Sequence, residues 1–142
     1  MARLRPWAVV LFASILAILA FTLVPLDADK ELELIPLRDF VEAVVSSDAT
    51  RVLELLVESA ANVLLFIPLG IALGLRGVSK AKTALLALAL TAVVEAAQLI
   101  VVSGRTTSVD DVFLNTLGAV LGHLLLTRAQ ANRQPHRQHH PR

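Results

Sequence analysis

The chain has 142 residues and is 56% hydrophobic, with a net charge of +1 and a mean hydropathy of +0.69. This composition excludes an ordinary soluble domain of this size. Cysteine is absent, which excludes disulfides, thiolate metal sites and a lipid-modified cysteine. We expect no nucleic-acid partner.

Four apolar segments dominate the sequence, at residues 7–24, 55–75, 84–102 and 109–126. Each has about 18–21 residues, which is the length an α-helix needs to cross ~30 Å of hydrocarbon. The segments are rich in Ala and Leu and lack the alternation of a membrane β-strand. We therefore predict an all-α membrane protein, with four transmembrane helices in a single domain over residues 1–127.

The first segment follows Arg3 and Arg5 and resembles the start of a signal peptide. However, the sequence FTLVPLDAD that ends it offers no small-x-small cleavage site, and three more segments follow. We expect it to be retained as the first helix.

The first connection runs from about Pro25 to Glu54 and is too long for a tight hairpin. Its second half carries apolar residues at helical spacing, which predicts a short amphipathic helix on the outer face of the membrane: Phe40, Val41, Val44 and Val45. A loosely ordered loop is the alternative. The cluster Ser46-Ser47-Asp48 is expected to end this helix and to cap the next one.

Lysine and arginine are distributed unevenly between the connections. Nine lie at the N-terminus, in the connection RGVSKAK or in the C-terminal tail, and four lie in the other connections: Lys30, Arg38, Arg51 and Arg105. The positive-inside rule therefore predicts that both termini are cytoplasmic. The tail, residues 128–142, is basic and rich in Gln, His and Pro, and we expect it to be disordered.

Proline and glycine predict how the helices bend and pack. Pro68 lies inside the second segment and predicts a kink. Gly70 and Gly74 are four residues apart, as are Gly118 and Gly122 in the last segment. Small residues at this spacing allow helix backbones to approach closely in lipid.

The third segment contains an acid, Glu95, and Gln98 follows it one turn later. A charged group near the membrane centre costs about 3 kcal/mol or more, so it finds a partner, binds a proton or lines a wet cavity. Glu95 is therefore the strongest single indication of a functional site.

Polar residues of three segments are expected to converge on Glu95. A rise of ~1.5 Å per residue places them in one layer in the outer third of the bilayer, and the members of each helical pair share a face. We predict that they form an oxygen-rich ligand pocket with Arg105 as its counter-charge: Glu58, Asn62, Glu95, Gln98, Arg105, Asp110, Asp111 and Asn115.

Structural roles compete with this interpretation at several positions. Asp110 and Asp111 follow Thr107 and Ser108 at the spacing of a capping box, although Asp110 is expected to point away from the Asp111–Asn115 stripe. Glu58 is also consistent with an interfacial role, and Asn115 and Gln98 with hydrogen bonds between helices. For His123, packing or snorkelling is expected.

The segments NVLLFIPLG, VVEAAQ and RTTSVDDVFLNTLGAVLG resemble the VanZ-like family over about residues 58–126. The residues that carry the resemblance are Asn62, Phe66, Pro68, Gly70, Glu95, Gln98, Arg105, Asp110, Asp111, Asn115, Gly118 and Gly122. The resemblance implies an integral membrane protein of the bacterial cell envelope, and its founding member lowers susceptibility to the glycopeptide teicoplanin. Ser108 stands where relatives often carry another acid, and no metal site is carried over.

Four functions are compatible with the sequence. The pocket could bind the polar headgroup of an amphiphilic antibiotic or a lipid-linked precursor, with Arg105 meeting phosphate or carboxylate. Glu95 and Asp111 could instead serve an intramembrane enzyme as acid and base, because a buried carboxylic acid can keep its proton near neutral pH.

An ion- or proton-coupled carrier would use Glu95 as the titrating group and would require a homo-oligomer, because four helices are few for a monomeric carrier. In that case a divalent ion could be held by Glu58, Glu95 and Asp111, but no metal or cofactor is predicted. A structural assembly factor is the fourth alternative.

Overall fold

The protein is described by a computed structural model, which covers residues 5–22, 32–101 and 107–133. These ranges contain five α-helices: α1 (Pro6–Thr22), α2 (Arg38–Val45), α3 (Ala49–Leu75), α4 (Lys80–Val101) and α5 (Val109–Asn132). Two-residue strands, β1 (Leu32–Glu33) and β2 (Thr107–Ser108), pair in parallel and bring the first connection beside the start of α5. The predicted all-helical architecture is thus confirmed, apart from this short pairing.

Three helices, α3, α4 and α5, are long and apolar enough to cross a membrane. The helix α1 is apolar but shorter, with 17 residues. Of the four predicted transmembrane helices, three therefore meet the length and composition of a span, and a crossing by α1 stays a prediction.

The helix α2 occupies the first connection at the position where the apolar spacing predicted it. Its Ala43 is buried, whereas Val44 and Val45 are exposed. Ser46 and Ser47 end α2, and Asp48 caps α3 because its carboxylate accepts a hydrogen bond of 3.0 Å from the backbone N–H of Arg51. This cap starts α3 at Ala49, in a polar segment that precedes the predicted apolar span.

The far ends of α3 and α5 can also be compared with the predicted segments. α3 continues through Pro68 and ends at Leu75, as predicted. The predicted kink at Pro68 stays a prediction. α5 continues to Asn132, so the first residues of the predicted disordered tail are helical. Residues 134–142 lie outside the described residues.

The helices α3 and α5 run in the same direction and share the most extensive interface of the fold. At three glycines their backbones touch: a Cβ atom built on Gly70 would lie 1.8 Å from the carbonyl oxygen of Ala119. A Cβ atom on Gly118 or Gly122 would meet the carbonyl oxygen of Val63 or Ile67 at 2.2 and 2.0 Å. Only glycine allows this approach, because any larger residue would overlap a carbonyl group.

The remaining helices complete the bundle. Its apolar core joins residues of α1, α3, α4 and α5: Ile18, Phe66, Leu69, Leu73, Ala87, Val94 and Ala119. The outer surface is also apolar, with Phe12 and Ile100 exposed by 71% and 76%. Several of the buried residues are polar, so the distribution of polarity suits a lipid surrounding rather than water.

Candidate functional site

One face of α4 carries half of the buried polar residues in the described part of the chain. Thr83, Thr91, Glu95 and Gln98 are all buried, and Glu95 is exposed by only 6%. Their spacing of three or four residues, with Ala87 in between, places them on one side of the helix. This face packs against α5 and reaches α1 near the C-terminal end of α4.

Asn115 lies at the centre of this polar layer. Its amide nitrogen donates a hydrogen bond of 2.8 Å to the Thr91 hydroxyl, and the residue is exposed by 2%. Its amide oxygen is buried and has no hydrogen-bond partner among the described residues. A buried amide oxygen without a partner costs stability.

Gln98 links the polar layer to α1. Its side-chain nitrogen donates a hydrogen bond of 2.6 Å to the backbone carbonyl of Thr22. That carbonyl belongs to the last turn of α1, where it lacks an intrahelical partner. Gln98 therefore fixes the end of α1 against α4.

Asn62 and Asp111 form a hydrogen bond between α3 and α5, in which the amide of Asn62 donates to the Asp111 carboxylate. Both residues are half-buried. The cap of α5 is Ser108 and not Asp111, because the Ser108 hydroxyl accepts a 3.0 Å hydrogen bond from the N–H of Asp110. Since Asp111 bonds to Asn62 on α3, it points into the bundle, which is the direction predicted from the stripe it shares with Asn115.

Asp110 has a different partner. Its carboxylate accepts a hydrogen bond of 2.8 Å from the backbone N–H of Leu37, the residue before α2. Leu37 has φ of 59°, a left-handed conformation that is unfavourable for leucine. Asp110 therefore holds the start of α2 against α5 and turns away from Asp111.

This contact leads to a prediction about α2. Replacing Asp110 by alanine should loosen α2, since the strained Leu37 would lose its acceptor at a cost of about 1 kcal/mol. Hydrogen exchange should become faster at residues 37–45 and stay unchanged in α4. Unchanged protection of α2 would contradict this anchoring role.

Of the other predicted pocket residues, Glu58 does not join the buried layer. Glu58 is exposed on α3, one turn before Asn62. Arg105, the predicted counter-charge, lies outside the described residues. Neither of two surface clefts in the structure is lined by the clustered acids and amides.

The hydrogen bond between Thr83 and His123 was not predicted from the sequence. The Thr83 hydroxyl lies 3.2 Å from Nδ1 of His123, and both residues are buried. His123 therefore bonds inside the bundle instead of snorkelling to a surface. The regular recurrence of Thr83 and Thr91 on the face of Glu95 was the signal that could have identified both threonines.

Charge is divided between the two ends of the bundle. The carboxylates in the described part of the chain all lie towards one end of the bundle. This end holds α2, the start of α3, the end of α4 and the start of α5. Arg51, at this end, forms ion pairs of 3.4 Å with Asp39 and 3.3 Å with Glu54. The described residues contain no group of three or more acids or histidines placed to hold a metal ion.

Comparison with known proteins gives one match. The family model described as VanZ/LLP1 matches residues 8–130, which is most of the chain. The match confirms the resemblance found in the sequence and extends it through α1. Neither the curated proteins nor the solved structures contain a match.

Proposed function

The chain belongs to the VanZ/LLP1 family, and on this premise we propose that it binds the polar headgroup of an amphiphile near the outer leaflet of the bacterial cell membrane. The amphiphile is a glycopeptide of the teicoplanin type or a lipid-linked envelope precursor. Binding would lower susceptibility to the antibiotic by changing how the drug or its target sits in the membrane. The protein itself is multi-pass, with both termini in the cytoplasm.

The observation that carries this proposal is the convergence of polar side chains from three helices within an apolar bundle. Glu95 is buried, and the Asn115 amide is only half satisfied within the described part of the chain. A membrane protein retains such groups at a cost in stability, which supports a role in recognition.

Access to this layer would be through its half-buried rim. Asn62 and Asp111 are partly accessible between α3 and α5, and Glu58 is exposed one turn away. A headgroup with hydroxyl or amine donors could replace Asn62 as the partner of the Asp111 carboxylate. Arg105 would then meet a phosphate or carboxylate of the same ligand.

The proposed orientation is supported by the charges. The carboxylates cluster at the end that holds Asp111, while Arg76, Lys80 and Lys82 lie at the opposite end of α3 and the start of α4. Cations concentrate on the cytoplasmic side of membrane proteins. The polar layer would accordingly face the outer leaflet.

An intramembrane enzyme is the second candidate, because the two acids have different surroundings. Glu95 is enclosed in the bundle, whereas Asp111 is half-buried beside an amide. Such a difference in surroundings would allow the two acids to take separate roles in catalysis. Turnover of a lipid-linked precursor, with loss in Glu95→Gln but retained ligand binding, would distinguish catalysis from binding alone.

The test is to express the wild type, Asp111→Asn and Glu95→Gln at matched membrane levels in a susceptible bacterium. Teicoplanin susceptibility and lipid-precursor profiles are then measured. Asp111→Asn removes a charge-assisted hydrogen bond worth about 1.5–3 kcal/mol, which is roughly 10–100-fold in ligand affinity. We expect this variant to lose the wild-type phenotype.

Glu54→Gln is the matched control. Glu54 is an exposed carboxylate on α3 that pairs with Arg51 at the surface, so its loss should leave susceptibility unchanged. A wild-type protein without effect on susceptibility or precursors would contradict the proposal. Variants of Asp111 and Glu95 that behave like the Glu54 control would reduce both acids to structural roles.

A further inference from the structure

A second site lies at the opposite end of the bundle, where α1 begins and α3 connects to α4. A cleft of about 730 Å³ opens there, and we call it the basal cleft. The side chains that give it its chemistry are Arg5, Trp7, Arg76, Ser79 and Lys82. Leu75 and Val78 add an apolar part to the lining.

Three of these side chains are cationic, and no carboxylate of the described residues lies at this end of the bundle. At the acidic end, in contrast, Arg51 is paired with Asp39 and Glu54. The cations of the basal cleft have no such ion pair within the described chain, and all three are exposed. Their charge is therefore available to an anion from outside the protein.

The aromatic ring of Trp7 holds one of these cations in place. The Arg76 guanidinium lies 4.5 Å from the centre of the Trp7 ring, within the range of a cation–π interaction. A guanidinium held over a ring loses less freedom when it binds an anion, and its planar fork matches the oxygens of a phosphate.

The position of the cleft indicates which anion. Trp7 stands at the start of an apolar helix, where tryptophan typically marks the depth of lipid headgroups. The apolar contacts of Leu75 and Val78 adjoin the cations, so the lining suits a ligand with a charged head and an apolar body. A free inorganic anion would make no use of that apolar part.

We propose that the basal cleft binds an anionic phospholipid, with its phosphate held by Arg5, Arg76 and Lys82. The Ser79 hydroxyl is exposed in the cleft and donates a further hydrogen bond to a phosphate oxygen. The site is separate from the layer around Glu95 and does not depend on the function proposed for that layer.

Trp7 makes the site directly measurable, because it is the only tryptophan of the chain and the chain has no tyrosine. The protein is reconstituted in phosphatidylcholine nanodiscs that contain an equal minor fraction of brominated phosphatidylglycerol or brominated phosphatidylcholine. Bromine quenches tryptophan fluorescence on contact. We expect stronger quenching by the anionic lipid at about 0.15 M salt, where the Debye length is about 8 Å.

The variant that tests the site is Arg5→Gln/Lys82→Gln, which leaves the Trp7–Arg76 contact in place. A cation near a lipid surface contributes about fivefold to anionic lipid binding, so the preference for phosphatidylglycerol should fall by at least that factor. The matched control is Arg128→Gln/Arg133→Gln, which removes the same charge from exposed positions at the end of α5. This control should keep the preference.

Three results would overturn the proposal. Equal quenching of the wild type by both brominated lipids would show that the cleft does not select anionic lipid. An equal loss in both double variants would show attraction by net charge instead of a defined site. If millimolar inorganic phosphate abolished the stronger quenching by the anionic lipid, the ligand would be free phosphate instead of a phospholipid.

Discussion

Replacing Gly118 by alanine is expected to force α3 and α5 apart. The new Cβ atom would lie 2.2 Å from the Val63 carbonyl oxygen and 3.1 Å from the Cβ atom of Phe66. Backbone atoms of α3 cannot turn away as a side chain can, so the two helices must separate. We expect a loss of about 3 kcal/mol or more, at the upper end of the cost of overpacking.

Gly70→Ala should behave like Gly118→Ala, because its Cβ atom would approach the Ala119 carbonyl oxygen to 1.8 Å. Gly74→Ala is the matched control, on the same helix and at the same four-residue spacing. Its Cβ atom would meet the Cδ2 atom of Leu126 at 2.7 Å, and this is the end of a flexible side chain. The higher helix propensity of alanine, worth about 0.5–1 kcal/mol, offsets much of the cost of moving the Leu126 side chain.

Reversible unfolding in mixed micelles measures these changes, with helix content checked for each variant. The predicted order of stability is wild type close to Gly74→Ala, and both well above Gly70→Ala and Gly118→Ala. Equal stabilities for all three variants would mean that α3 and α5 can separate at little cost, which would contradict the close contact of their backbones.

Replacing Thr91 by valine is expected to cost more than the loss of one hydroxyl group suggests. The Asn115 amide nitrogen donates its hydrogen bond to Thr91 at 2.8 Å, and its amide oxygen already has no partner among the described residues. Without Thr91 the whole amide would be buried and unsatisfied, at about 1–3 kcal/mol. Because Thr91→Val keeps the shape of the side chain, the loss of stability would come from the unsatisfied Asn115 amide.

The double variant Thr91→Val/Asn115→Leu decides the cause. Because it removes both polar partners, it should recover much of the stability that Thr91→Val loses, giving a favourable coupling. Thr116→Val is the control, since the Thr116 hydroxyl bonds to the Val112 carbonyl of its own helix at 2.8 Å and should be nearly neutral. Additive losses in the double variant would contradict the predicted coupling.

Local features of the sequence predicted the helices well. Apolar runs identified α3, α4 and α5, and the spacing of Phe40 and Val44 identified α2. The start of α3 was placed too late, because hydropathy marks the apolar part of a helix. Its hydrogen-bonded start depends on the cap at Asp48. The same reason explains why α5 continues beyond its apolar part into a polar, basic turn.

The individual contacts within the site were less predictable. Helical spacing predicted that Asp111 and Asn115 point inwards, but it could not select Asn62 and Thr91 as their partners. The bond from Gln98 to Thr22 joins two residues that are 76 positions apart in the sequence, and its acceptor is a backbone atom without any sequence signature. Asp110 was grouped with the pocket because its partner, the Leu37 N–H, is equally invisible in the sequence.

The close contact between α3 and α5 sets an order for biosynthesis. α4 separates the two helices in the chain, so the ribosome finishes α3 well before its partner exists. Until α5 emerges, Asn62 and the carbonyl groups of Val63 and Ile67 lack the surface that covers them. The central contact of the bundle therefore forms last, and nascent chains that stop after α4 should be held by chaperones or degraded by quality-control proteases.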